Sequence, residues 1–252
     1  MAFSGGLLHT GKDQAAEALS RKLIMTNSIS VILGLVLFFS FGHQNAASTK
    51  EADRDPRYPP HWWTPVSEAG KPNWEILPQE AGPGEVILSK RNELGLLSNF
   101  AATPFTYRGK RYASLEGFWQ MMLYPESPKD PRSKYPGIVW RHTRDQVAQM
   151  TAFEAKTAGT LAEENMKQMG ITWATFEGRR FPYRSARPEQ HYRLIVAASW
   201  AKVRQNPEVK KVLLSTGDLI LKPDHHGEPN APPEWHYNEI WMKIRNKLRT
   251  SH

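Results

Sequence analysis

Seven prolines (Pro56, Pro59, Pro60, Pro65, Pro72, Pro78 and Pro83) fall between residues 49 and 84, and they decide where a helical domain can begin. Proline locks φ, lacks an N–H donor and clashes with the carbonyl one turn back, so this run excludes a helix interior. The segment reads as a Pro/Trp-rich linker over 49–84. Its Trp62, Trp63 and Trp74 are costly to leave in water and are expected to pin it to a domain surface. Further upstream, Ile29 to Phe41 is almost entirely apolar, with Arg21 and Lys22 before it and Ala46-Ala47-Ser48 after it. That run is short against the roughly 20 residues that span a bilayer, and it matches a secretory signal with a small-x-small cleavage site. Leu23 to Gly42 reaches spanning length, which makes an uncleaved anchor the alternative, with Arg21 and Lys22 inside and the domain outside. The expected organisation is an N-terminal extension at 1–24 (Met25 being a second possible start), a signal peptide or membrane anchor at 25–48, the linker, and a folded domain at 85–250. The protein is expected to be exported, periplasmic or secreted, or anchored through residues 29–41.

From Glu85 onward the pattern is that of a mainly α, single helical domain with a small β-hairpin. Val86-Ile87-Leu88 is a short strand, and Phe105 to Tyr112 folds as a hairpin with its turn at Gly109. Ser114 caps a helix that runs to about Leu123 and is stopped by Pro125. Thr143 and Gln146 form a capping box for the next helix, whose inner face carries Val147, Met150, Phe153, Leu161 and Met166 and whose end is Gly170. Pro188 opens a helix with Tyr192, Ile195, Val196, Ser199 and Val203 inward. Asn206-Pro207 starts a short one ending at Gly217, and a last helix runs from about Pro233 to Leu248.

The chain has no cysteine, which excludes disulfides, thiolate metal sites and a cysteine nucleophile. A net charge of +8 favours anionic partners. His225 and His226 are adjacent and point apart on an ordinary backbone, and no metal-ligand spacing surrounds them, so no metal is expected. Gly82, Gly84 and Gly95 lack dinucleotide-loop spacing, and no cofactor is implied. Glu116 is the sharpest chemical candidate. It sits in the first turn of a helix among Phe118, Trp119 and Tyr124, where burial raises its pKa while the helix dipole and nearby cations lower it. A carboxyl tuned in this way serves as general acid or base near neutrality.

Leu97-Ser98-Asn99-Phe100, Ser114-Leu115-Glu116-Gly117-Phe118-Trp119-Gln120, Met150 to Gly159, Ala201-Lys202, Leu213 to Gly217 and Met242 to Arg245 occur in an order that resembles the NADAR (YbiA-like) family. These motifs cover roughly residues 86 to 249. The sequence departs from the family at Gly117, where many members have His, at Leu123, where many have Lys, and at Asp224-His225-His226-Gly227, where many have Asp followed by Trp-Gly. The resemblance implies an N-glycosidase that cleaves the bond between a base or amine and an ADP-ribose or phosphoribose anomeric carbon, in a small molecule or in nucleic acid. ADP-ribosyl-guanine is one such substrate. Glu116 matches the family's catalytic glutamate, and Asp224 is a second acid. Ser98, Asn99, Phe100, Trp119, Gln120, Lys156, Arg179, Arg180 and Trp235 are the substrate-binding candidates. Asn99 suits ribose hydroxyls, the cations suit phosphates, and the tryptophans suit a ring. The rival reading is a non-catalytic module that binds ADP-ribose or a nucleotide. A third is binding of membrane or nucleic acid through charge alone.

Overall fold

Ser114 shows how closely local chemistry places the elements around the site. Its Oγ accepts from the backbone N–H of Gly117 at 2.9 Å and so starts helix α1, Leu115–Met121. The computed structural model describes residues 54–250. The N-terminal extension, the signal or anchor segment and the first linker residues lie outside the described residues. Among the described residues no helix is long and apolar enough to cross a membrane.

The remaining helices follow their punctuation. They are α2 (Arg144–Ala148), α3 (Ala152–Gln168), α4 (Gln190–Gln205), α5 (Pro207–Ser215) and α6 (Tyr237–Thr250). The strands are short. β1 (Glu85–Ile87) pairs in parallel with β6 (Ile220–Lys222), β2 (Phe105–Tyr107) with β3 (Lys110–Tyr112) and β4 (Trp173–Phe176) with β5 (Arg179–Pro182), the last two pairs antiparallel. Gly109 lies in the β2–β3 turn at φ +76°, as its place in the sequence predicts.

One expected helix is two. The capping box at Thr143 and Gln146 forms, and Gly170 adopts φ +65°, but the chain breaks between Ala148 and Ala152. The break frees carbonyls from the helical ladder. Ala148 O accepts from Ala113 N at 3.0 Å, and Met150 O accepts from Ser114 Oγ at 2.9 Å. Phe153, expected on the inner face, therefore starts a separate helix and stands 60% exposed. The β4–β5 hairpin and strand β6 are also additions to the sequence reading. Glu177-Gly178, both at positive φ, was the turn signal for that hairpin.

Residues 54–84 are applied to the domain. Two 3₁₀ turns, Pro60–Trp63 and Pro78–Glu80, bury Trp62 and Trp63, and the Trp63 indole donates to Glu85 O at 2.8 Å. Trp74 remains 38% exposed.

The core contains an uncommon member. Lys202 of α4 is fully buried, with its ammonium donating to Ser98 O at 2.9 Å and lying 5.6 Å from the Trp241 ring centroid. Burial pulls its pKa from 10.5 to about 7. Between these values the unfolded chain binds a proton that the folded chain has released, so this group makes stability rise with pH. Denaturant unfolding of the wild type should therefore gain stability between about pH 7 and pH 10, and Lys202→Met should flatten that slope. An unchanged slope in the variant would remove Lys202 as its source.

Candidate active site

The segment Leu97 to Phe100 is held by four consecutive carbonyls, each taken by a different helix. Leu97 O accepts from the Trp241 indole of α6 at 2.6 Å, and Ser98 O from Lys202 of α4. Asn99 O accepts from Glu116 N of α1 at 2.9 Å, and Phe100 O from Ala152 N of α3 at 3.2 Å. With its backbone fixed in this way, the segment presents Ser98, Asn99 and Phe100 to a cavity of about 430 Å³. That volume lies within the roughly 300–1,000 Å³ of small-molecule sites. Glu116, Trp119 and Gln120 of α1, Lys156 of α3, and Trp235 complete the set of predicted residues that line it.

Glu116 is 6% exposed, and Gln120 Nε2 donates to its Oε1 at 2.8 Å. Burial pushes its carboxyl above the ordinary carboxylate range, against the Gln120 hydrogen bond and the positive fields of Lys156, His225 and Lys90. Two glycines make this arrangement possible. A Cβ at Gly117 would lie 2.6 Å from Met150 O and 2.9 Å from Val147 O, both backbone atoms. Any side chain there requires α1 to move. A Cβ at Gly159 would lie 1.9 Å from Gln120 Oε1, so the glycine on α3 is what gives the Gln120 amide its place.

The aromatic walls are ordered from behind. Trp119 donates to Tyr183 OH at 3.2 Å, which in turn donates to Glu163 at 2.9 Å. Trp235 packs edge-on against Trp119, with the Arg184 guanidinium 4.5 Å from its ring centroid. Asn99 and Lys156 make no side-chain hydrogen bond among the described residues, and both line the cavity.

Asp224 lies behind the wall rather than on it. It is 2% exposed, ion-paired with Lys90, and receives His225 Nδ1 at 3.1 Å and Tyr237 OH at 3.4 Å. Burial pushes its pKa up, but the His225 hydrogen bond and Lys90 outweigh that and hold it below the usual carboxylate range. Arg179 and Arg180 are exposed on β5 and absent from the cavity lining, and the Arg180 guanidinium lies 4.1 Å from the Trp173 ring centroid. The other predicted site residues are brought together; these two are not.

Lys90, Trp74, Phe153, His225 and His226 also line the cavity. Sequence reasoning did not place Trp74, Lys90 and Phe153 there, because the chain segments that carry Trp74 and Lys90 meet the 223–226 segment only in three dimensions. Ile76 N donates to Asp224 O at 2.9 Å, and His226 N to Trp74 O at 3.1 Å. Among the described residues no three His, Asp or Glu side chains converge as a metal-holding group.

No family model matches the chain, and no curated protein sequence matches it. An NMR structure of the E. coli protein YbiA is similar. Its identity to this chain is 18% and its TM-score 0.41, over 66% of this chain and 86% of that one.

The Gly159–Gln120 contact yields a double-mutant test. Gly159→Ala should destabilise the protein by about 1–3 kcal/mol through overpacking. In a Gln120→Ala background the same change should cost nearly nothing, since the clashing amide is gone. Additive losses in urea melts would place the strain elsewhere.

Proposed function

We propose that this cavity hydrolyses an N-glycosidic bond at the anomeric carbon of an ADP-ribosylated or phosphoribosylated base, such as ADP-ribosyl-guanine. The observation that carries the reading is Glu116: a buried carboxylate, raised in pKa and held by Gln120, on the wall of a largely apolar cavity. Cleavage of such a bond passes through an oxocarbenium-like state. A carboxylate at that position both stabilises the developing cation and takes a proton from attacking water. Asn99 is free to hold ribose hydroxyls and Lys156 to hold phosphate oxygens, Lys90 adds positive charge from its pair with Asp224, and Trp119 and Trp235 flank a ring. Asp224 serves by positioning Lys90 at the cavity. The likeness in motif order to the NADAR family supports the same chemistry. The apolar segment 29–41 adds export or anchoring to the proposal.

The test uses the full chain and its Glu116→Gln variant with ADP-ribosylated guanosine, following free ADP-ribose by mass spectrometry. Release should fall by about 10²-fold or more in the variant, with ADP-ribose affinity nearly unchanged. Binding of ADP-ribose with no release by wild type would favour the non-catalytic module instead. The acidic limb of the wild-type rate profile should lie above the usual carboxylate range. Glu116 acts as base only when ionised, and burial delays its ionisation.

A further inference from the structure

Breaking a C–N bond leaves an electron pair on the departing nitrogen, and a neutral base leaves poorly unless that nitrogen gains a proton. Glu116 cannot supply it in the step in which it accepts the proton of water. The cavity needs a second proton carrier, and the Asp224-His225 pair has the form of one.

His225 lines the cavity with its side chain 44% exposed. Its Nδ1 lies 3.1 Å from Asp224 Oδ1, and its ring is parallel to Tyr237 at 5.9 Å between centroids, with an angle of 2° between planes. Asp224 is itself anchored by Lys90 and by Tyr237 OH, while the backbone of His225 bridges to Glu75. With Nδ1 donating to a buried carboxylate, the ring's other nitrogen, Nε2, is left for a ligand; it makes no hydrogen bond among the described residues. A carboxylate that orients an imidazole and supports its protonated form is the usual companion of a histidine acid–base catalyst. The other histidines of the region differ. His226 lines the cavity but pairs with no carboxylate among the described residues, His236 lines it and pairs with exposed Glu239 at 3.5 Å, and His191 has a buried carboxylate in Glu234 but is absent from the lining.

We infer that His225, oriented by Asp224, is the general acid of this site and protonates the departing nitrogen through Nε2. The assignment rests on the N-glycosidase reading above. The C–N electron pair goes to the leaving nitrogen, which takes the imidazolium proton. Water adds its hydroxyl to the anomeric carbon and gives its proton to Glu116. The two groups then return to their starting states by exchanging one proton through solvent, and the net reaction consumes one water. The charged and titratable groups around the ring are Asp224 and His226 beside it, Glu75 (paired with Arg91), Lys90, Tyr237 of α6 and Glu116 of α1.

The test measures full-length wild type, His225→Ala, His225→Asn and Asp224→Asn on ADP-ribosylated guanosine across pH. Both His225 variants should lose about 10²-fold or more in kcat with KM changed only a few-fold. They should also lose the alkaline fall that the acid's deprotonation gives wild type, and added imidazole should restore part of the kcat of His225→Ala. Asp224→Asn should lower kcat and displace the alkaline limb. His225→Asn keeps a side-chain donor toward Asp224, so it reports on the proton if the alanine variant fails to fold. An active wild type whose His225 variants keep kcat within about threefold, or keep the alkaline limb, overturns this assignment alone. A wild type that releases nothing overturns the glycosidase reading and this assignment with it.

Discussion

Four neighbouring carbonyls, from Leu97 to Phe100, hold the molecule together around its cavity. A buried carbonyl without a donor is costly, so each must find a partner as the helices close in. Here the partners come from α6, α4, α1 and α3, and one short segment therefore fixes four helices relative to one another. The cost of this solution is visible in Lys202, whose ammonium is buried for the sake of one carbonyl, and in Ala152, which takes φ +49°. The return is a rigid edge that presents Asn99 beside Glu116.

Close backbone approach sets the chemistry of Glu116. The break between α2 and α3 turns carbonyls toward the start of α1, and Gly117 lets the two backbones meet without a side chain between them. The buried face of α3 carries Ala155, Ala158, Gly159 and Ala162 ahead of Met166, so α1 and the Gln120 amide lie directly against its small residues. Glu116 is thereby held in a poorly hydrated place with one firm donor, and the balance of burial against that donor raises its pKa. The opposite outcome at Asp224 has the same origin. It is as buried as Glu116, but Lys90 and His225 reach it directly and keep it ionised.

The proline-rich segment completes this cavity. Trp62 and Trp63 anchor it in the core, and the chain then passes Trp74 and Glu75 along the 223–226 segment, with Lys90 beside them. A stretch that is unable to form helix is suited to this task, because its backbone donors and acceptors are left over for loops it meets.

Much of this protein is written locally. Ser114 as a cap, the Thr143–Gln146 box, Gly109 and Gly170 at their turns and Pro207 at a helix start are decided by side-chain and φ preferences over four or five residues, which a sequence displays directly. Glu116, Asn99, Trp119 and Gln120 were visible as candidates because they fall in two short motifs that carry the resemblance, and all four line the cavity. The interruption before Ala152, the exposure of Phe153, the removal of Arg179 and Arg180 from the cavity and the placement of Lys90 and Trp74 within it were not visible. Each depends on where carbonyls and side chains from distant segments find partners, and that competition is settled only when the helices pack. The sequence by itself determined which residues begin and end the helices and which carboxylate could do chemistry. The tertiary structure alone decided that carboxylate's protonation and its neighbours, because burial and charge are properties of assembled surroundings rather than of a residue.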